Sequence, residues 1–168
     1  MALTYEPIAT TTLGSAGTIT FSSIPTTYTD LRVVLTGKGL SGTPNDNVRI
    51  VLNSDTSATY SYTELYGGGT PTCVSYATQF NMYLNSNNAN LSDTVPTFYT
   101  IDFFQYKNTS INKAFLATAN MDLNGSGSVA YTSGLWRSNS AISTILLTNG
   151  AASYSAGTTA TLYGIKAA

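Results

Sequence analysis

The chain contains no histidine among its 168 residues. Serine and cysteine hydrolases that use an imidazole base need a side chain that titrates near neutral pH, so this sequence supplies neither arrangement. Zinc and non-haem iron sites lose their commonest ligand for the same reason. We therefore expect no metal site and no histidine-dependent catalytic residue.

Cysteine is nearly absent as well, since Cys73 is the single one. A single cysteine excludes an intramolecular disulfide, so stability must come from burial and backbone pairing, as suits synthesis in a reducing cytoplasm. Without a histidine to take its proton, Cys73 is a poor nucleophile. We expect it to be a small, partly buried apolar residue.

Charge is the third scarcity, because only 9% of residues are charged and the formal net charge is −1. No basic field is present to neutralise phosphates, so nucleic acid is not an expected partner, and anionic membranes are disfavoured. No stretch approaches the roughly 18 apolar residues of a spanning helix. The first residues, MALTYEP, also lack the basic and apolar regions of an export signal, so a soluble product without a signal peptide is expected.

Uncharged polar residues are common in this chain, in place of the scarce charged ones. Threonine, serine, asparagine and glycine are all abundant, and they favour strands, turns and loops over helices. Short alternating or apolar runs recur between clusters of Gly, Asn, Pro and Ser. The sequence therefore predicts an all-β fold, a single jelly-roll-like antiparallel β-sandwich of about 8–10 strands that spans residues 1–168.

The clearest strand signal covers residues 31–36, where Leu and Val alternate with Arg, Val and Thr. A second run covers residues 48–52, and the two could form a long-looped hairpin. The Asn124-Gly125 dipeptide predicts a tight turn between strands at 112–122 and 129–131, the best hairpin in the chain. Residues 63–66 could instead form a single helical turn.

A glycine motif at residues 37–42, GKGLSG, matches the spacing of a dinucleotide-binding loop. That loop works by opening a helix whose amides bind a pyrophosphate, and the TPNDN that follows opens none. We therefore expect a connecting loop and no cofactor.

Paired carboxylates are the remaining route to hydrolysis, since a glycosidase needs two acids about 5 to 10 Å apart. Most of the aspartates lie in turn sequences, where the side chain usually caps its own backbone; these are Asp30, Asp46, Asp55, Asp93 and Asp122. Asp102 instead follows aromatic residues in a predicted strand. A structural partner, either an arginine or backbone donors, is the favoured interpretation of Asp102, with catalysis as the alternative.

Aromatic residues are the last feature, with 12 tyrosines, 6 phenylalanines and 1 tryptophan. Tyrosine suits an interface because it offers a flat apolar face and a polar tip at small entropic cost. Tyr60, Tyr62, Tyr66 and Trp136 fall in predicted loops or strand ends. They could stack on a sugar ring or on a neighbouring subunit, or they could wedge loops against the sandwich.

Four stretches carry a resemblance to a known group of proteins. They are FSSIP at 21–25 followed by YTDLR at 28–32, YSY at 60–62 with LYG at 65–67, SGLW at 133–136, and TLYGIK at 161–166. Their order and spacing resemble small, poorly characterised virion proteins of tailed bacteriophages, over nearly the whole chain. These motifs are structural, so the resemblance assigns no catalytic residue.

The resemblance implies a virion component of β-sandwich type, made in the host cytoplasm, that either decorates the capsid or forms part of a tail fibre. We favour a non-enzymatic protein that decorates the capsid surface, because the chain is short and has neither the heptads nor the repeats of a fibre shaft. Expected partners are copies of the same chain, in a trimer, and other virion proteins such as the major capsid protein. The low charge fits, because an uncharged surface packs against identical neighbours without desolvating charges. The alternatives are a tail-fibre module that binds host glycans through the four aromatics and, more weakly, a carboxylate-only glycosidase.

Overall fold

The computed structural model describes residues 5–39, 47–84, 94–122, 124, 127–150 and 153–166. The predicted all-β class is confirmed, because twelve strands and no helix form within these ranges. None of the described residues forms a helix that could cross a membrane. In chain order the strands are β1 (Tyr5–Thr12), β2 (Ile19–Phe21), β3 (Asp30–Gly37), β4 (Val48–Leu52), β5 (Tyr60–Gly67), β6 (Pro71–Gln79), β7 (Met82–Leu84), β8 (Thr97–Phe103), β9 (Lys113–Met121), β10 (Ser128–Trp136), β11 (Ile145–Asn149) and β12 (Thr159–Ile165).

The strands form two antiparallel sheets. The large sheet has eight strands in the order β1-β12-β3-β8-β9-β10-β5-β6, and the small sheet has four in the order β2-β11-β4-β7. A single hydrophobic core draws buried residues from both sheets, which is the arrangement of a β-sandwich. Each sheet therefore has one inner face toward the core and one outer face.

Alternation in the sequence decides which side chains face the core. In β9, Phe115, Ala117, Ala119 and Met121 are buried, while Leu116 and Asn120, which alternate with them, are exposed. In β3 the buried residues likewise alternate with partly exposed ones along its whole length. Successive side chains of a strand point to opposite faces, so this period of two fixes the register of each strand against the core.

The predicted hairpin around Asn124 is confirmed. Strands β9 and β10 pair antiparallel from Met121 opposite Ser128 to Lys113 opposite Trp136. Asn124, in the connection 122–127 between these strands, has a φ of 56°, a left-handed conformation that asparagine tolerates well. Residues 123, 125 and 126 lie outside the described residues, so the tight turn at Asn124-Gly125 stays a prediction.

Three other predictions are wrong. Residues 63–66 are not a helical turn but part of β5, because β5 is held on both sides by pairing with β10 and β6. The runs 31–36 and 48–52 do not form a hairpin, because β3 pairs with β12 and β8 in the large sheet while β4 pairs with β11 and β7 in the small one. The count of 8–10 strands is too low because β6 and most of β5 do not stand out as strands in the sequence.

Two close approaches of glycine explain motifs of the resemblance in structural terms. A Cβ at Gly134 would lie 1.8 Å from the ring of Phe115, and a Cβ at Gly164 would lie 2.3 Å from the ring of Tyr28. Each aromatic ring lies directly over a glycine of the neighbouring chain segment, where any other residue would overlap it. The motifs SGLW and TLYGIK therefore include positions that packing restricts to glycine.

Candidate interaction surface

The candidate aromatics are mostly inside the molecule. Tyr60 is 0% exposed, Trp136 2% and Tyr62 4%, and all three belong to the core between the sheets. The expectation that they are exposed for stacking is therefore wrong. Tyr66 is partly buried and packs against the same core. The structure brings Tyr60 and Trp136 together in a parallel stack, with ring centroids 6.3 Å apart, as internal packing.

Trp136 is held by a polar network around Asp55. Its Nε1 donates to Asp55 Oδ2 at 2.7 Å, and Thr59 Oγ1 donates to the same oxygen at 2.8 Å. The backbone N–H of Ser57 donates to Asp55 Oδ1 at 2.9 Å, so the expectation that Asp55 caps its own turn is confirmed. Partial burial acts to raise the pKa of Asp55, but the hydrogen bonds from Ser57, Trp136 and Thr59 outweigh it and lower the pKa to about 2.

Tyr60 completes this network from the core side. Its hydroxyl donates to the carbonyl of Asp55 at 2.9 Å and accepts from the backbone N–H of Leu52 at 3.0 Å. Burial raises the pKa of Tyr60 to about 12, so the phenol stays protonated in its role as donor. The network fixes the loop between β4 and β5 to the end of β10. It is a structural device with no free acid or base.

Asp102 has the structural partner that the sequence favours. The guanidinium of Arg32 donates to both carboxylate oxygens, at 2.6 Å from Nε and 2.8 Å from Nη2. The two residues lie opposite each other on β3 and β8. The hydrogen bonds to Asp102 outweigh desolvation and raise the pKa of Arg32. A bidentate pair of this kind links β3 and β8 on the outer face of the large sheet. Both carboxylate oxygens of Asp102 are occupied by this pair.

Among the described residues, Lys113 is a lysine that is almost fully buried, with 1% of its surface exposed. Its ammonium donates to the carbonyls of Asn108 at 2.5 Å and Ile111 at 2.7 Å, and burial lowers its pKa. These contacts stabilise the loop between β8 and β9. Within the described ranges no three histidine, cysteine or acidic residues come together as a metal site. Residues 40–42, half of the glycine motif, lie outside the described residues, as do 43–46 of the segment that follows it.

Exposed apolar side chains gather on the outer face of the large sheet. Leu65, Phe98, Leu116, Val129 and Tyr131 are 42–57% exposed, and we call these five residues the outer patch. They occupy adjoining positions: Leu65 lies opposite Tyr131, and Phe98 and Val129 both lie opposite Asn120. Scattered exposed apolar residues are normal on a monomer, whereas a contiguous group marks an interaction surface.

The outer patch is free of unpaired charge. Along the strands that form it, β5, β8, β9 and β10, the ionisable acids and amines are Glu64, Asp102 and Lys113. Glu64 and Lys113 are buried, and Asp102 is paired with Arg32. A partner that covers the five patch residues would therefore take no unpaired charge out of water. The Arg32–Asp102 pair lies beside the patch, where Asp102 is opposite Leu116.

A shallow groove of about 450 Å³ adjoins the outer patch. Small side chains line most of it, including Ser61, Thr63, Ser75, Ala77, Ala114 and Ser133. Thr63 and Ser75 hydrogen-bond to each other across β5 and β6, with their oxygens 3.0 Å apart. The groove lets another surface approach the backbone of the large sheet closely.

Cys73 lies beside the outer patch, opposite Leu65, on β6. Its side chain is exposed, so the expectation of partial burial is wrong. The reason is that β6 is the last strand of the large sheet and has a neighbour on one side only. Sequence reasoning missed this surface because β6 and most of β5 were not recognised as strands.

Comparison of the chain with protein-family models, with curated proteins and with solved structures gave no match. The resemblance to phage virion proteins therefore stays a prediction.

Proposed function

We propose that the chain is a non-enzymatic structural protein of a bacteriophage virion that decorates the capsid surface through protein–protein contacts. The observation that carries the proposal is the outer patch, a contiguous and uncharged apolar group on one face of an eight-stranded sheet. The acids and amines that could do chemistry are instead engaged in structural contacts, as at Asp55, Asp102 and Lys113.

The proposal includes a jelly roll, and the strand pairing supports it. Strands β1, β2, β3 and β4 pair with β12, β11, β8 and β7 respectively, so the pairs are nested as in one long ribbon. Successive pairs alternate between the large and the small sheet. A long antiparallel ribbon rolled into two sheets is a jelly roll, an architecture that viral capsid and lectin domains share. The hairpins β5–β6 and β9–β10 are then insertions that widen the large sheet.

In this proposal the outer patch packs against the shell. Leu65 and Tyr131 lie opposite each other on adjacent strands of the patch, and each leaves more than half of its side chain in water. Fully burying a large apolar side chain contributes about 1.5–3 kcal/mol, so covering the exposed half of Leu65 or Tyr131 contributes about 1 kcal/mol each. Contacts repeated at many symmetric positions add to this through avidity.

Co-sedimentation with empty shells of the phage that encodes the chain tests the proposal. We expect saturable binding of the wild-type chain, weakened at least about tenfold by the double variant Leu65→Ser/Tyr131→Ser. The matched control is Phe80→Ser/Ile111→Ser, which removes two apolar side chains that are also exposed but lie outside the patch. Absence of binding by the wild-type chain, or equal loss in the control, would contradict the proposal.

A glycan-binding module remains the alternative, but it cannot use the buried Tyr60, Tyr62 and Trp136. Tyr131, at 57% exposure, is the aromatic of the outer patch best placed to stack on a sugar. Specific, saturable binding on a glycan array that Tyr131→Ala abolishes would favour this alternative over decoration.

A further inference from the structure

The two ends of the large sheet differ in how their outermost strands are protected from pairing. At one end, β1 contains Pro7, which has no N–H, a charged Glu6, and a register irregularity between Pro7 and Ala9. Proline, charge and a bulge are the usual devices by which an edge strand avoids pairing with another chain. The small sheet ends in β2 and β7, which have only three residues each.

At the other end of the large sheet, β6 has nine residues and no charge. Its proline, Pro71, stands at the first position, where it removes no hydrogen bond from the strand's interior. Its irregularities lie at the far end: Thr78 has a φ of 61°, and the side-chain amide of Gln79 donates to the carbonyl of Ala77 at 3.0 Å. Residues 72–76 between them carry none of these protections.

The edge of residues 72–75 that faces away from β5 offers backbone groups for pairing, since no other strand of the described part of the chain lies along it. Antiparallel pairing with β5 uses the N–H and C=O groups of alternate residues of β6. The groups of the residues in between point away from β5, and no described strand pairs with that side. A long, flat, uncharged edge of this kind is a template for adding a strand.

We propose that β6 pairs antiparallel with β6 of a second copy of the chain, joining two large sheets into one continuous sheet across a two-fold axis. The proposal deepens the proposed function and rests on it, because it names the contact between copies while the outer patch contacts the shell. A second copy fits because the edge is self-complementary and has no like charges to bring together. In the symmetric register Val74 lies opposite itself and Cys73 lies opposite Ser75.

The geometry of this contact sets the number of copies and the direction of the outer patches. A two-fold contact uses the same strand on both partners and closes at a dimer, in place of the expected trimer. In-plane pairing of antiparallel strands leaves both outer faces on the same side of the joined sheet. Two outer patches then face one surface together, which strengthens shell binding by avidity.

Sedimentation equilibrium over a wide concentration range tests the contact with a matched pair of variants. Ser75 on β6 and Thr10 on β1 are both exposed, and each shares a hydroxyl hydrogen bond of 3.0 Å with the adjacent strand. We expect Ser75→Lys to raise the dimer dissociation constant at least about tenfold, because it places a lysine on each side of the pairing edge. The variant Thr10→Lys is expected to dimerise like the wild-type chain.

Circular dichroism establishes that Ser75→Lys is folded, and Cys73→Lys, at an exposed position without a side-chain bond, is the second variant. Hydrogen exchange locates the contact: protection of residues 71–79 should rise with protein concentration, while that of residues 5–12 should not. A monomeric wild-type chain, a trimer, or a dimer that both lysine variants leave intact would overturn the proposal.

The shell-binding experiment separates this proposal from the proposed function. A monomer that still binds shells through Leu65 and Tyr131 would overturn the β6 contact and leave decoration standing. A dimer that Ser75→Lys dissociates but that binds no shell would support the β6 contact and contradict decoration.

Discussion

Replacing Trp136 with phenylalanine tests whether the indole is a structural core residue. The change removes the Nε1–H donor to Asp55, a bond of 2.7 Å to a charged acceptor, and part of a side chain that is 2% exposed. A hydrogen bond to a charged group contributes about 1.5–3 kcal/mol, and the smaller ring leaves a void. We expect Trp136→Phe to lower the free energy of unfolding by about 2–4 kcal/mol.

The pH dependence of the free energy of unfolding tests the same bond in a second way. Asp55 has its pKa lowered from 3.8 to about 2 in the folded chain. Its contribution is therefore present above pH 3.8 and lost as the pH falls through about 2. A shift of this size corresponds to about 2.4 kcal/mol, which solvent screening at a partly exposed carboxylate reduces to about 1–2 kcal/mol. Trp136→Phe should diminish this acid-sensitive part, and Asp55→Asn should remove it.

Urea unfolding followed by far-ultraviolet circular dichroism measures both effects. Tryptophan fluorescence cannot be used, because Trp136 is the single tryptophan and Trp136→Phe removes it. The double variant Asp55→Asn/Trp136→Phe completes a cycle whose coupling energy reports the bond itself. A stability loss below about 0.5 kcal/mol for Trp136→Phe, or an additive cycle, would refute the assignment of the indole to this network.

Two further predictions concern the core. The hydroxyl of Tyr99 is buried without a hydrogen-bond partner among the described residues, so Tyr99→Phe should leave thermal stability unchanged or raise it by up to about 2 kcal/mol. Tyr60→Phe, which removes a hydroxyl that is hydrogen-bonded, should lower the stability of the folded chain. A Tyr99→Phe variant that is less stable than the wild-type chain would contradict the assignment of an unbonded hydroxyl to Tyr99. Gly134→Ala should cost about 1–3 kcal/mol in urea unfolding, because the added methyl overlaps Phe115, and an unchanged midpoint would contradict that packing.

The sequence was informative where local pattern and tertiary pairing agree. The strand at 31–36 follows from strict alternation, and the pairing of β9 with β10 follows from the Asn-Gly dipeptide in the sequence between them, so both could be predicted. Strand β6 could not, because its small, uncharged residues are typical of loops as well. Its extended form comes from pairing with β5, which local propensity does not report.

The candidate site was harder to predict than the fold, since it depends on contacts between distant residues. The burial of Trp136 reflects its bond to Asp55, 81 residues earlier in the chain. The outer patch likewise arises because Leu65, Phe98 and Tyr131 come from three strands whose order in the sheet the sequence does not state. Asp102 is the exception, because an aspartate in a strand already predicts a cationic partner nearby.

Low-resolution imaging of intact virions labelled with a gold-conjugated antibody against the chain tests the central claim most directly. The account predicts label at regular positions on the capsid surface of the phage that encodes the chain. Virions that carry no label, imaged beside unassembled chain that does react with the antibody, would contradict it.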